Sequence, residues 1–196
     1  FLMKIEDYTV LEIFKNVSFT KHELSIIKDR FEKITLKKGE ILLDSKNTCK
    51  NQYFVYSGCL RSFFVNDDGK DFTTQFAIKD WWISDYISFF KNEKTVMSIE
   101  CLQDAVVYRL SKEDFEFLCL NVPKIETFIR NKLQNAFASF QKRILEYLSL
   151  SAKDRYYNFI NSYPEINSCI KNYHVASYLG ITTESLSRIR KMNIKS

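Results

Sequence analysis

Apolar residues along this chain change their spacing three times, and each change predicts a different kind of element. In DYTVLEIFKNV, Val10, Leu11, Ile13, Phe14 and Val17 fall at helical intervals. Leu24, Ile27 and Phe31 repeat that spacing after Thr20, a natural N-cap, so the first 35 residues are expected to be helical. From about Ile34 to Leu110 the segments shorten and become rich in β-branched and aromatic residues. ILL, YFVYSGCLRSFFV, KDFTTQFAI, VMSIECL and AVVYRL read as separate strands, broken by Gly39, Gly58 and the turn Asn66-Asp67-Asp68-Gly69. Such a series predicts an antiparallel sandwich or roll.

Helical spacing returns after Leu110. Ser111 and Asp114 suit the cap and acidic first turn of a short helix ending near Pro123. From Lys124 to Leu150, Ile125, Ile129, Leu133, Ala136, Phe137, Phe140, Ile144 and Leu148 form an apolar stripe about seven turns long. That stripe either packs within its own domain or meets the same helix of a second copy, and its length favours the second. A further helix is expected from Asp154 to Tyr163, ended by Tyr163-Pro164, with the polar NSCIKN after it.

The last patterned stretch, HVASYLGITTESLSRIRK, reads as two short helices around a sharp turn. Val175, Ala176 and Leu179 share a face, Gly180 supplies the left-handed turn, and Thr182 caps the second helix. Leu186 and Ile189 then point inward. Thr183, Glu184, Ser187, Arg188 and Lys191 point outward, with Glu184, Arg188 and Lys191 at i, i+4 and i+7. Such a face suits a major groove, where Arg donates to guanine and Glu accepts from cytosine. The plainer alternative is a helical hairpin with a solvated outer face.

Charge separates these two readings. Residues 1–123 carry 17 Lys/Arg against 19 Asp/Glu, a net of −2, whereas residues 124–196 carry 12 against 5, a net of +7. A basic back half suits a polyanionic partner. With 45% hydrophobic residues, 17 Phe and 11 Tyr, the chain can bury a full core. No apolar run reaches the roughly 18 residues of a membrane span. The start FLMKIEDYTV has neither the basic nor the apolar region of a secretory signal, so a cytoplasmic protein without a membrane partner is expected. Cys49, Cys59, Cys101, Cys119 and Cys169 form no CxxC, and His22 and His174 lie far apart, which predicts reduced thiols and no metal centre. Phosphate-binding glycine loops and nucleophile–base pairs are missing too, which argues against an enzyme.

YFVYSGCLRSFFVNDDGKDFTTQF and HVASYLGITTESLSRIRK resemble stretches of the Crp/Fnr family of bacterial transcription regulators, and the likeness covers nearly the whole chain. It implies an α+β fold: a double-stranded β-roll of the jelly-roll, cyclic-nucleotide-binding type with flanking helices, a long dimerisation helix, and a C-terminal helix-turn-helix. The implied domains are residues 1–123, 124–150 and 151–196. Implied partners are double-stranded DNA, a second copy of the chain, RNA polymerase and a small-molecule effector that stays unidentified. In the family's terms Glu184 and Arg188 match the base-reading pair and Ser185 a phosphate contact, while Thr183 stands where some members carry Arg. The expected DNA-binding set is Thr183, Glu184, Ser185, Ser187, Arg188, Arg190 and Lys191.

Two departures qualify the resemblance. Members that bind cyclic AMP carry a Gly-Glu pair and, about ten residues later, an Arg-Ser pair; the matching positions here are Ser84-Asp85 and Thr95-Val96. Thr95 removes the cation that would hold the cyclic phosphate, and Lys94 would point to the opposite face of a strand, so cyclic AMP is not expected as a cofactor. Ser84, Asp85, Thr95 and Val96 remain the candidate effector pocket; Phe76, Trp81, Trp82, Tyr86, Phe89 and Phe90 either add an apolar lining to it or, as is commoner for such residues, fill the core. Only MNIKS follows Lys191, where many members continue into a β-hairpin wing, so phosphate contacts are expected from Lys171, Arg190 and Lys195. The competing reading is a ligand-binding sensor that acts on a protein partner, with a degenerate DNA-binding domain.

Overall fold

The computed structural model describes residues 6–192, apart from the side chains of residues 167–169 and 192. The FLMKI stretch and Lys195, both used above, lie outside the described residues. Helices α1 (Asp7–Ile13) and α2 (Lys21–Lys28) come first. Thr20 starts α2 with a capping box: its hydroxyl accepts from the Glu23 amide at 3.2 Å, and the Glu23 carboxylate accepts from the Thr20 amide at 2.6 Å. Phe31, expected on a helical face, instead opens strand β1. Antiparallel pairing from Phe31 opposite Leu110 to Leu36 opposite Ala105 overrides the local helical spacing.

Six strands follow the roll pattern: β1 (Phe31–Leu36), β2 (Ile41–Leu43), β3 (Asn51–Val65), β4 (Asp71–Ala77), β5 (Trp82–Ile83) and β6 (Ser98–Ser111). All pairs are antiparallel in the order β1-β6-β3-β4, with β2 also on β6 and β5 also on β3. VMSIECL and AVVYRL, expected as two strands, form one. Gln103-Asp104 reads as a break but stays in β6, because bulges on β3 between Val55 and Leu60 absorb the bend. Gly58 makes this possible at φ +91°. A Cβ there would stand 2.5 Å from the Asp104 carbonyl, so no other residue fits.

The short helix α3 (Tyr86–Lys91) was not expected. After the roll come α4 (Lys112–Asn121), α5 (Pro123–Ser149), α6 (Ala152–Ser162), α7 (Pro164–Cys169), α8 (Asn172–Leu179) and α9 (Thr183–Met192). Ser111 caps α4 as predicted, accepting from the Asp114 amide at 3.0 Å. Pro164, read as a helix stop, also serves as first residue of α7, where its missing N–H costs nothing.

Three apolar clusters result. The first joins α1, α2 and α4 to the start of α5, around Phe14, Phe54 and Leu118. The second fills the roll around Val55, Leu60 and Ile99. The third packs Cys59, Phe76 and Leu102 of the roll against Phe159, Val175, Leu179 and Leu186 of the helical end. Cys49, Cys59, Cys101 and Cys119 are thiols without disulfides.

The six aromatic residues considered as one lining are instead divided. Phe76 packs on Phe159 and Tyr178, and Trp81 on Tyr163; Trp82 meets Phe31 and Phe54; Tyr86, Phe89 and Phe90 cluster with one another beside Phe115. They fall into separate aromatic groups, with Phe90 still exposed, because sheet pleat and helix pitch send neighbours in sequence to different faces.

Candidate nucleic-acid interface

α8 ends at Gly180, whose φ of +68° lets its amide reach back to the Ala176 and Ser177 carbonyls. Ile181 reinserts beside the third cluster. The Thr182 hydroxyl then accepts from the Ser185 amide at 3.2 Å and starts α9. Val175, Ala176, Leu179, Leu186 and Ile189 are all buried, so the two helices share one apolar seam.

The opposite face of α9 is polar and open. Thr183, Glu184, Ser187, Arg188, Arg190 and Lys191 are exposed, and Ser185 is half-buried. The Glu184 carboxyl lies below the usual carboxylate range, held there by its own backbone amide and then by the Thr182 and Thr183 hydroxyls and Arg188. Arg188 reaches back to the Ser185 hydroxyl at 3.1 Å. Arg190 bonds the Asn172 side chain at the start of α8 and so braces the two helices against each other. Tyr173, exposed beside Lys171, was not singled out from the sequence, where it reads as one more aromatic residue in a helix.

α5 behaves as two different helices. Ile125 and Ile129 are buried against the first cluster. Beyond them Leu133, Phe137, Phe140, Ile144 and Leu148 stay uncovered, Phe137 at 70% and Leu148 at 75% exposure. The apolar stripe thus continues uncovered for several turns along α5.

The roll positions matched to the cyclic-nucleotide site are drawn together, yet they bond each other. Asp85 is fully buried and caps α3, accepting from the amides of Ile87 at 3.0 Å and Ser88 at 3.1 Å. The same carboxylate accepts from the Val96 amide at 3.1 Å and from the Thr95 hydroxyl. The Ser84 hydroxyl donates to the Asn51 carbonyl at 2.8 Å, and the Val96 side chain is exposed. A protein carboxylate therefore already occupies the end of α3, and a second anion there would meet its charge. Among the described residues no group of three or more His, Cys, Asp or Glu is placed to hold a metal ion. No helix among them is long and apolar enough to cross a membrane.

A bulged β-roll running through one long helix into a helix-turn-helix defines the architecture. Residues 33–121 match the cyclic nucleotide-binding domain family. Regulatory protein HlyX of Actinobacillus pleuropneumoniae is 23% identical, covering 88% of this chain and 76% of that protein. The fumarate and nitrate reduction regulatory protein of Yersinia pestis is 21% identical over 97% of this chain and 82% of its own length. Among solved structures, a Crp/Fnr-family transcriptional regulator from Eubacterium rectale superposes with a TM-score of 0.69 at 17% identity, covering 90% of this chain and 85% of that one. CooA from Carboxydothermus hydrogenoformans gives 0.72 at 14% identity, covering 99% and 86%. Over most of its length the chain is similar to these regulatory proteins, and it shares the fold of the solved Crp/Fnr-family structure.

Proposed function

We propose that this chain is a sequence-specific DNA-binding transcription regulator that works as a homodimer. The observation that carries this reading is the two-faced α9, apolar against α8 and polar outward at Glu184, Arg188 and Lys191. Arg188 and Glu184 read base edges, and Thr183, Ser185, Ser187, Arg190 and Lys191 supply phosphate and sugar contacts. The uncovered stripe of α5 from Leu133 to Leu148 is the seam between two copies, which makes the target an inverted repeat with half-sites about one helical turn apart. In this division residues 1–123 are the sensor, 124–150 the dimerisation helix and 151–196 the DNA-binding domain. RNA polymerase and a small-molecule effector of the roll complete the partners this reading requires, and the work is cytoplasmic.

The test is selection from a pool of randomised DNA duplexes with the purified full chain. An enriched inverted repeat is the expected result. Retention without enrichment, from a folded dimeric protein, would transfer weight to a sensor that acts on a protein partner.

A further inference from the structure

The helix-turn-helix does not hang free from α5; it is fastened to the rim of the roll. β4 ends the order β1-β6-β3-β4, so its outer backbone groups meet no further strand among the described residues. Its register also slips: Thr73 lies opposite Phe63 and Gln75 opposite Ser62, which leaves Thr74 unmatched. Side chains of the helical half occupy the groups so freed. The Ser177 hydroxyl of α8 accepts from the Thr73 amide at 2.8 Å and lies 3.1 Å from both the carbonyl and Oδ1 of Asp71.

Arg143 of α5 makes the second fastening. Its guanidinium donates to the Thr74 carbonyl of β4 and, at 2.9 Å, to the Tyr178 carbonyl near the end of α8, where helical carbonyls lack partners of their own. The same group lies 3.8 Å from the centroid of the Tyr178 ring. One planar side chain thus joins α5, α8 and the sheet edge. Behind it the buried Arg61 of β3 bonds Asp71 and Glu100, each at 2.9 Å, so the fastening is tied to the central strands.

Between α5 and α6 the link is short and held by Arg155, which donates to the Leu150 carbonyl at 2.9 Å and the Leu179 carbonyl at 3.3 Å. Leu150 is extended, at φ −104° and ψ 149°, and interrupts the helix there. Ser177 and Tyr178 meet the roll while Thr183, Glu184, Ser187, Arg188 and Lys191 remain open to solvent, so the fastening leaves the reading face free.

We propose that Arg143, together with Ser177, is a positioning residue: it sets the pose of the helix-turn-helix on β4 and thereby the separation of the two recognition helices in a dimer. This rests on the DNA-reading function above. Held in one pose, the pair meets its inverted repeat without first being ordered. Released, it must lose that freedom on binding, and several half-site spacings come within reach. Lysine cannot replace the fork, because its single ammonium cannot span the two carbonyls and also lie flat on the ring.

The experiment compares the full-length wild type with Arg143→Gln, Arg143→Lys and Ser177→Ala. Amide hydrogen exchange is read by mass spectrometry without DNA, and affinity is read on duplexes in which the selected half-sites are set at their preferred spacing and at one and two base pairs more or less. The proposal expects faster exchange in β4 and α8 of all three variants, with β3 and β6 unchanged. It also expects about tenfold weaker binding at the preferred spacing and a flatter spacing profile, with base preference inside each half-site unaltered. Wild-type exchange in β4, an unchanged spacing profile, tighter binding, or full recovery in Arg143→Lys would each overturn it. Ser177→Ala removes one hydroxyl and keeps the helix, so its exchange and spacing profile decide the matter even where both Arg143 variants fail to fold. If the wild type enriches no duplex, the DNA reading itself fails and the positioning role goes with it. A wild type that binds alongside indifferent variants sinks the positioning role alone.

Discussion

Asp85 and Glu184 are both carboxylates at the opening of a helix, and the protein uses them in opposite ways. Asp85 is fully buried at the start of α3 and accepts from three amides and a hydroxyl. Glu184 stands exposed at the start of α9, with its own amide, neighbouring hydroxyls and Arg188 around it. The first is consumed by the fold, and the second is available to a partner. A polar residue at a position matched to a binding site is informative only once its donors and acceptors have been counted.

That contrast is sharpest if each carboxylate's neighbourhood is disturbed in turn. Asp85→Ala leaves the buried Ser88 amide, two part-buried amides and the Thr95 hydroxyl without their acceptor and is expected to cost roughly 3 kcal/mol of stability, read by urea unfolding. A loss below about 1 kcal/mol would mean that water or another group replaces the carboxylate. Arg188→Ala touches no core, so its stability is expected to stay within about 0.5 kcal/mol of wild type. Its discrimination at one base pair per half-site should fall by roughly 1–3 kcal/mol, measured as affinities over all four substitutions at each position. Equal losses on every sequence would make Arg188 a phosphate contact.

A third test uses a buried titratable group at the roll–helix boundary. Burial pushes the His174 imidazole down to about 4; Arg61 of β3 and Lys171 add to the shift, and Asp71 of β4 opposes it. For Asp71 itself burial pushes the carboxyl up, but the Arg61 guanidinium and the Ser177 hydroxyl outweigh it and hold it below its usual value. Between about 6.5 and about 4 the unfolded chain binds a proton at His174 that the folded chain does not. Stability is therefore undiminished by this group above about pH 6.5 and falls as the pH drops toward 4. Urea midpoints at pH 7 and pH 5 should differ less for His174→Gln than for wild type, and an equal difference would remove His174 from the account. The smallest change is Lys191→Ala, expected to weaken all sequences alike and to reduce the salt slope of binding by about one. A sequence-dependent loss would make Lys191 a base reader.

Much of the architecture was legible because local rules set it. Thr20, Ser111 and Thr182 are caps whose side chains leave few alternatives, and Gly180 is a turn that other residues take up only with strain. The helical spacing from Ile125 to Leu148 correctly marks a continuous helix with an apolar stripe. Three features were not legible. Phe31 suits a helix face and a strand equally well, and a partner some 80 residues away chose the strand. Gln103-Asp104 looks like a turn but lies within β6, because the bend was placed in the opposite strand at Gly58. The aromatic residues from Phe76 to Phe90 count as one group in the sequence and belong to separate clusters in space.

The order of elements and the two-faced character of α9 follow from residues within a few positions of one another, where side-chain periodicity and capping act, whereas the missing cyclic-phosphate cation at Thr95 is what the family resemblance implies. The closed bonding of Asp85 with Thr95 and Val96, and the clasp of Arg143 and Ser177 on β4, join residues 10 to more than 100 positions apart. Only folding brings such groups within the 3 Å or so at which a hydrogen bond forms, and no local spacing along the chain encodes that approach.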